Sequence, residues 1–188
     1  MTAKNTMKTI VLPWLLTLGL LAGAWAVVKI TLPVGSAQEP FVTVATLDEE
    51  ATARNFAVTV TDVHAARTVI GADDWSAEGT WLIVDLEASA EVKQEGTSLR
   101  VATLTIGERT FSATERGTTF YRQGLVTGVP RSGSLAFELP DDALSGDATL
   151  RLGATGNPVL DGVIEMRIDL EALPVESEVT LQENGWAR

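Results

Sequence analysis

Every reaction in this chain that needs an imidazole must use His64, because the sequence holds a single histidine. A two-histidine metal site is thereby impossible. A Ser-His-Asp triad can be written from His64 with Asp62 or Asp85 and any serine, but there is no Gly-x-Ser-x-Gly elbow to present the nucleophile. Read as lying at a strand end, His64 is expected to be a solvated or capping side chain, and no catalytic residue is assigned.

Acidic pairs occur at Asp73-Asp74, at Asp141-Asp142 with Asp147 following, and at Glu49-Glu50. Calcium needs six to eight converging oxygens, and loops at one end of a sandwich can supply them, yet no run matches an EF-hand loop. Asp141 follows Pro140, a turn composition. Glycoside hydrolysis needs two acids facing each other across a cleft, and among 25 acids some pair at that distance arises by chance. The expectation is therefore a non-enzyme with no metal and no cofactor.

The loop "ERGTTFYRQGLVTGVPRSG" gathers Phe120, Tyr121, Arg122 and Arg131 in an otherwise acidic region. Aromatic and arginine side chains anchor protein interfaces, and long loops carry function more often than strands do. These four residues are interface candidates, against the alternative that Phe120 and Tyr121 pack into the core. Trp75, between acids and glycines in "GADDWSAEG", is a further candidate and is expected to face solvent more than Trp81 does.

Composition narrows the partners. All acids lie beyond Gln38, where 25 Asp and Glu face 11 Lys and Arg, a formal charge of −14. Such a surface repels nucleic-acid phosphates, which need basic contacts, so no nucleic-acid partner is expected. There is no cysteine. Disulfides, thiolate metal sites, cysteine nucleophiles and a lipidated cysteine are all excluded.

The elements that would position these residues begin with a leading segment. Residues 10–28 carry no charge, and as a helix they would run about 28 Å at ~1.5 Å per residue, close to a hydrocarbon core of ~30 Å. Lys4 and Lys8 precede the run and Lys29 follows, which orients the N-terminus to the cytoplasm and the rest outside. Cleavage after Ala24, Ala26 or Ala37 is the alternative, as for a signal peptide. The apolar VVKITLPV left by the early cuts favours retention. Gly19 and Gly23 form a small-xxx-small spacing through which two such helices can pack, so a homodimer is one expected assembly.

After a small-residue linker, "GSAQEP", apolar residues recur with the period of two that marks strands with one buried face. Strands are predicted over residues 41–46, 54–63, 80–90, 99–106, 109–114, 134–139, 148–153 and 163–170, with one more over 178–182 before a frayed end at Trp186. In "VATLTIGERTFSAT" the pair Gly107-Glu108 suits a two-residue hairpin turn. That register puts Ala102, Leu104, Ile106, Phe111 and Ala113 on one face and the threonines on the other. "TWLIVDLEA" is apolar on both faces, which predicts a central strand covered on one side by the opposing sheet and partly by a loop, with Trp81 in the core.

The run of "FAVTVTDV", "WLIVDLEASAEV", "GSLAFELPDDA" and "EMRIDL" over residues 52–173 resembles the secreted immunoglobulin-like family of Gram-positive, notably actinobacterial, envelopes. The asparagine common after the long third strand is replaced here by "ASAEVKQEG", and the loop over 115–132 departs from the family. The resemblance implies an immunoglobulin-like β-sandwich outside the membrane with a binding or structural role, and it transfers no catalytic residue.

The expected organisation is all-β: a cytoplasmic stretch over residues 1–9, a transmembrane or signal helix over 10–34, a linker and first strand over 35–51, an immunoglobulin-like sandwich of about seven to nine strands over 52–173, and a tail over 174–188. The expected role is a membrane-anchored, extracytoplasmic, non-catalytic binding or accessory protein of the cell envelope with a protein partner there. The alternatives are a structural subunit held by its helix and a secreted small-ligand or cation binder.

Overall fold

The computed structural model describes residues 3–30, 40–72, 75–92, 95, 97–155 and 161–187, with side chains in the leading helix described for 13–27 and 29. The chain divides into two units, Met1–Gln38 and Glu39–Arg188. The linker residues 35–39, the ends of the leading segment and the Asp73-Asp74 pair lie outside the described residues.

The first unit is one helix, α1 (Ala3–Ile30). Pro13 inside it lacks an N–H for the helical ladder, and Thr17 Oγ1 donates to the Pro13 carbonyl at 2.8 Å. Leu16, Leu18, Leu20 and Trp25 are all exposed, so α1 carries apolar surface all round. Its described side chains from 13 to 27 cover only about 22 Å at ~1.5 Å per residue. Among the described residues no helix is long and apolar enough to cross a membrane. The expected span over 10–28 extends past those residues and is taken up below as a proposal.

The second unit is a sandwich of two sheets. One has five strands in the order β1-β9-β8-β5-β6, from β1 (Phe41–Val44), β5 (Val101–Ile106), β6 (Arg109–Ser112), β8 (Asp147–Gly153) and β9 (Gly162–Asp169). The other is built on β3 (Phe56–Ile70), β4 (Ser76–Ala90) and β7 (Arg131–Leu139). Its order is β10-β3-β4-β7-β12, with β10 (Val175–Glu176) and β12 (Gly185–Trp186) at the edges. Short β2 (Glu50–Thr52) and β11 (Val179–Thr180) also pair with β3. All eight strands expected before the tail have counterparts. Seven of the described strands, β3 to β9, fall within residues 52–173, inside the expected seven to nine; β2, β10 and β12 at its margins were not foreseen, because they are two or three residues long and leave no periodic signal.

The β5–β6 hairpin has the expected register, with Leu104 opposite Phe111 and Thr105 opposite Thr110. Gly107 adopts φ 58°, the positive φ that a primed two-residue turn requires. Ala102, Leu104 and Ile106 are buried, while the intervening Val101, Thr103 and Thr105 are only half-buried.

Alternation along β4 explains why "TWLIVDLEA" is apolar on both faces. Leu82, Val84 and Leu86 enter the core between the sheets with Phe56, Phe137 and Leu150. Trp81 and Ile83 point outward into a second core with Ala66, Val69, Ala136 and Leu181. The C-terminal chain covers this outer face: β10 and β11 line the free edge of β3, Leu181 N–H donates to the Ile70 carbonyl, and β12 pairs with β7. The end at Trp186 is thus a paired strand rather than frayed. Asp85 is the next outward residue after Ile83 on β4, beside this second core.

Candidate functional site

β3 continues seven residues beyond its expected end, so His64 lies mid-strand and is 6% exposed. This overturns its reading as a solvated strand-end residue. The misreading has a local cause: Ala65 and Ala66 are both fully buried, which breaks the alternation that would have marked the strand.

The register of the seven-stranded sheet then assembles a polar row. Asp62 on β3 faces Asp85 on β4, and Asp85 faces Ser134 on β7. His64 is two residues from Asp62 and therefore on the same face. Its Nδ1 donates to Asp62 Oδ2 at 3.2 Å, while Nε2 is buried without a hydrogen-bond partner. Ser134 Oγ donates to Asp85 Oδ1 and accepts the Gln182 N–H at 2.8 Å. Burial pushes the Asp85 carboxyl above its ordinary 3.8; the Ser134 bond and His64 pull it down, and Asp62 adds to the rise.

This row is not a hydrolytic triad. The serine donates to the aspartate rather than to the imidazole, and Ser134 is fully buried, so no substrate reaches its Oγ. A nitrogen and two carboxylate oxygens, from His64, Asp62 and Asp85, do lie within 4.8 Å of one another.

The interface candidates separate. Phe120 is fully buried in the main core, its N–H donating to the Ser134 carbonyl at 2.8 Å. Trp75 packs at right angles to Trp81 against the second core, yet it stays half-buried and so is more open than the fully buried Trp81. Arg131 Nη1 donates to the Gly124 carbonyl at 3.0 Å, and its guanidinium lies 5.7 Å from the Trp186 ring, so it ties the loop and the chain end together.

Arg122 is exposed, and Tyr121 is half-buried against the main core. They line a groove of about 550 Å³ with Ser98 and Arg100. Arg122 stacks over the Tyr121 ring at 5.3 Å and pairs with Glu115 at 2.9 Å. Tyr121 Oη donates to the Arg100 carbonyl at 3.1 Å, and Arg100 Nε donates to Ser98 Oγ at 2.9 Å. Arg122 has φ 63°, a left-handed backbone that costs a non-glycine residue on the order of 1 kcal/mol. Two arginines and a tyrosine thus share one groove on an acidic domain. Residue type made Tyr121 and Arg122 visible in the sequence. Ser98 and Arg100 were missed, since the two segments are joined by long-range hydrogen bonds, among them those from Arg122 N–H to the Leu99 carbonyl and from Leu125 N–H to the Thr97 carbonyl.

On α1, a Cβ built at Gly19 or Gly23 meets nothing within 4 Å, so both keep the open face that helix packing uses.

No protein-family model matches the sequence, and no match is found among curated proteins. Among solved structures, the chain is similar to the yjhA protein of Bacillus subtilis, at 14% identity over 64% of this chain and 98% of that one, with a TM-score of 0.45. It is also similar to an uncharacterized beta-sandwich protein of Clostridium difficile, at 11% identity over 68% of this chain and 96% of that one, with a TM-score of 0.43. At these values the likeness carries nothing about function.

Proposed function

We propose that the protein is a non-catalytic binding or accessory protein of the bacterial cell envelope, anchored by its N-terminal helix, with an immunoglobulin-like sandwich outside the membrane. Its groove at Ser98, Arg100, Tyr121 and Arg122 takes an acidic group of a protein partner. The groove carries this reading: it concentrates basic and aromatic side chains on a domain of net charge −14, and Arg122 keeps a strained backbone there. The uncharged run after Lys4 and Lys8 and the exposed leucines of α1 support the anchor. Pairing β3, β4 and β7 against β9, β8, β5 and β6 supports an immunoglobulin-like connectivity and the resemblance to the secreted Gram-positive family.

The test is recovery of partners from detergent-solubilised envelope with the full chain, with Arg122→Glu and with Tyr121→Ala. Partners lost with both substitutions and kept with Trp186→Ala support the reading. Identical recoveries from all four proteins overturn it. N-terminal sequencing of the membrane-extracted protein tests the anchor, which predicts a start upstream of Gly35.

A second reading, a structural subunit held by its helix, is favoured by the open faces of Gly19 and Gly23. It predicts that Gly19→Ile with Gly23→Ile abolishes assembly while the groove substitutions leave it intact.

A further inference from the structure

The polar row on the outer face of the seven-stranded sheet has features of a metal centre. Neither Asp62 nor Asp85 pairs with a lysine or arginine among the described residues: Asp62 is bonded by His64 and the Val63 N–H, and Asp85 by Ser134. Two carboxylates on neighbouring strands without a basic partner leave negative charge uncompensated, and burial makes this costly at Asp85. An imidazole that is 6% exposed, its Nδ1 turned toward Asp62, completes the set.

We propose that Asp62, His64 and Asp85 bind a divalent first-row transition-metal ion of the zinc type. The separation of 3.2 Å between His64 Nδ1, which gives up its proton on binding, and Asp62 Oδ2 matches the roughly 3.0–3.4 Å between two donors bound to one ion at ~2.0–2.2 Å. Asp85 completes the three-residue set within 4.8 Å, and the exposed Asp62 carboxylate has the freedom to close on the ion. An imidazole with two carboxylates selects zinc or its neighbours over calcium and magnesium, which prefer all-oxygen shells. Ser134 acts as a positioning residue: its hydroxyl fixes the Asp85 carboxylate, and it is itself held by the Gln182 N–H, an arrangement that metal sites use to orient a ligand. Three protein ligands leave a coordination position for water on the exposed Asp62 side.

The sole histidine makes the test direct. The full chain, purified in detergent and stripped with EDTA, is titrated with zinc chloride alone by calorimetry and by the 15N resonances of its single imidazole. One equivalent of zinc shifting those resonances is expected, with affinity falling at least tenfold in Asp62→Asn and about tenfold in Ser134→Ala. Asp62 is exposed, so its variant folds and keeps the test valid even if a His64 variant does not. Calcium should leave the imidazole resonances unmoved. Absence of binding at one equivalent, unchanged affinity in Asp62→Asn, or binding that leaves the imidazole untouched overturns the proposal.

Discussion

Trp75 and Trp81 meet at right angles, their ring centroids 5.8 Å apart and their planes at 89°. An edge-to-face pair of this kind contributes about 0.5–1.5 kcal/mol beyond the area it buries. Gly117 lies against Trp75: a Cβ there would stand 2.3 Å from Trp75 Cε3, on a backbone already at φ 72°. The tryptophan pair and the loop after β6 therefore depend on each other. Trp75→Ala should cost about 2 kcal/mol and Gly117→Ala about 1–3 kcal/mol. Urea unfolding measures both losses, and near-UV circular dichroism should lose the coupled tryptophan signal in each. A Gly117→Ala chain as stable as wild type would mean that the contact is not made.

Asp85 gives the fold a pH dependence of predictable sign. Its folded-state pKa is raised, first by burial and then by Asp62, so the folded chain holds this proton more tightly than the unfolded chain. Its contribution to stability is then largest below the unfolded value of 3.8 and falls as pH rises through the raised folded value. Asn at this position removes the charge and still offers Ser134 an acceptor. In EDTA, Asp85→Asn should be the more stable chain at pH 7, with the difference closing as pH falls toward 3.8. Urea midpoints across that range check it, and a less stable Asp85→Asn at pH 7 would contradict the assigned cause.

The β5–β6 hairpin was legible because its alternation and Gly107 are local, as were both faces of β4. Of the candidate sites only Tyr121 and Arg122 stood out, by residue type. Asp62, His64, Asp85 and Ser134 meet only through the register of β3, β4 and β7, and Ser134 is 49 residues from Asp85. The C-terminal chain hides for a similar reason: its two-residue strands pair with β3 and β7 far earlier in the sequence, and Leu181 alone marks its buried side. Flanking acids and glycines marked Trp75 as more open than Trp81, but its partial cover by Trp81 and Gly117 comes from segments that sequence proximity does not reveal. For Phe120, an interface candidate with core packing as the alternative, the alternative holds: it lies in a loop whose backbone is bonded to β7 and drawn into the core.

Arg122 separates stability from binding. Its φ of 63° is unfavourable for any side chain, and its ion pair with Glu115 is exposed and contributes little. Arg122→Gly should hold or raise stability by up to about 1 kcal/mol, because glycine adopts this backbone freely. The same substitution removes the guanidinium stacked on Tyr121 and should abolish partner recovery. Thermal unfolding beside the envelope pull-down reads both effects. A marked loss of stability would assign Arg122 a structural role instead.

Gly133 tests whether the C-terminal chain is fastened where it crosses β7. A Cβ at Gly133 would stand 2.3 Å from Asn184 Oδ1 and 2.7 Å from Phe120 Cδ2. Asn184 holds the chain end to the 115–132 loop, its Nδ2 donating to the carbonyls of Thr118 at 2.8 Å and Thr119 at 3.1 Å. A methyl group here pushes on the clasp and on the core phenylalanine at once, and Phe120, fully buried, has no room to yield. Gly133→Ala should therefore cost about 1–3 kcal/mol, as overpacking does. The chain end should loosen first, so limited proteolysis should cut after Leu170 before the rest of the sandwich is attacked. Gly185→Ala is the matched control: its added Cβ meets nothing nearer than the Glu183 carbonyl at 3.8 Å, and it should leave both readouts unchanged. Equal proteolysis of the two variants would show that Asn184 does not fasten the chain end.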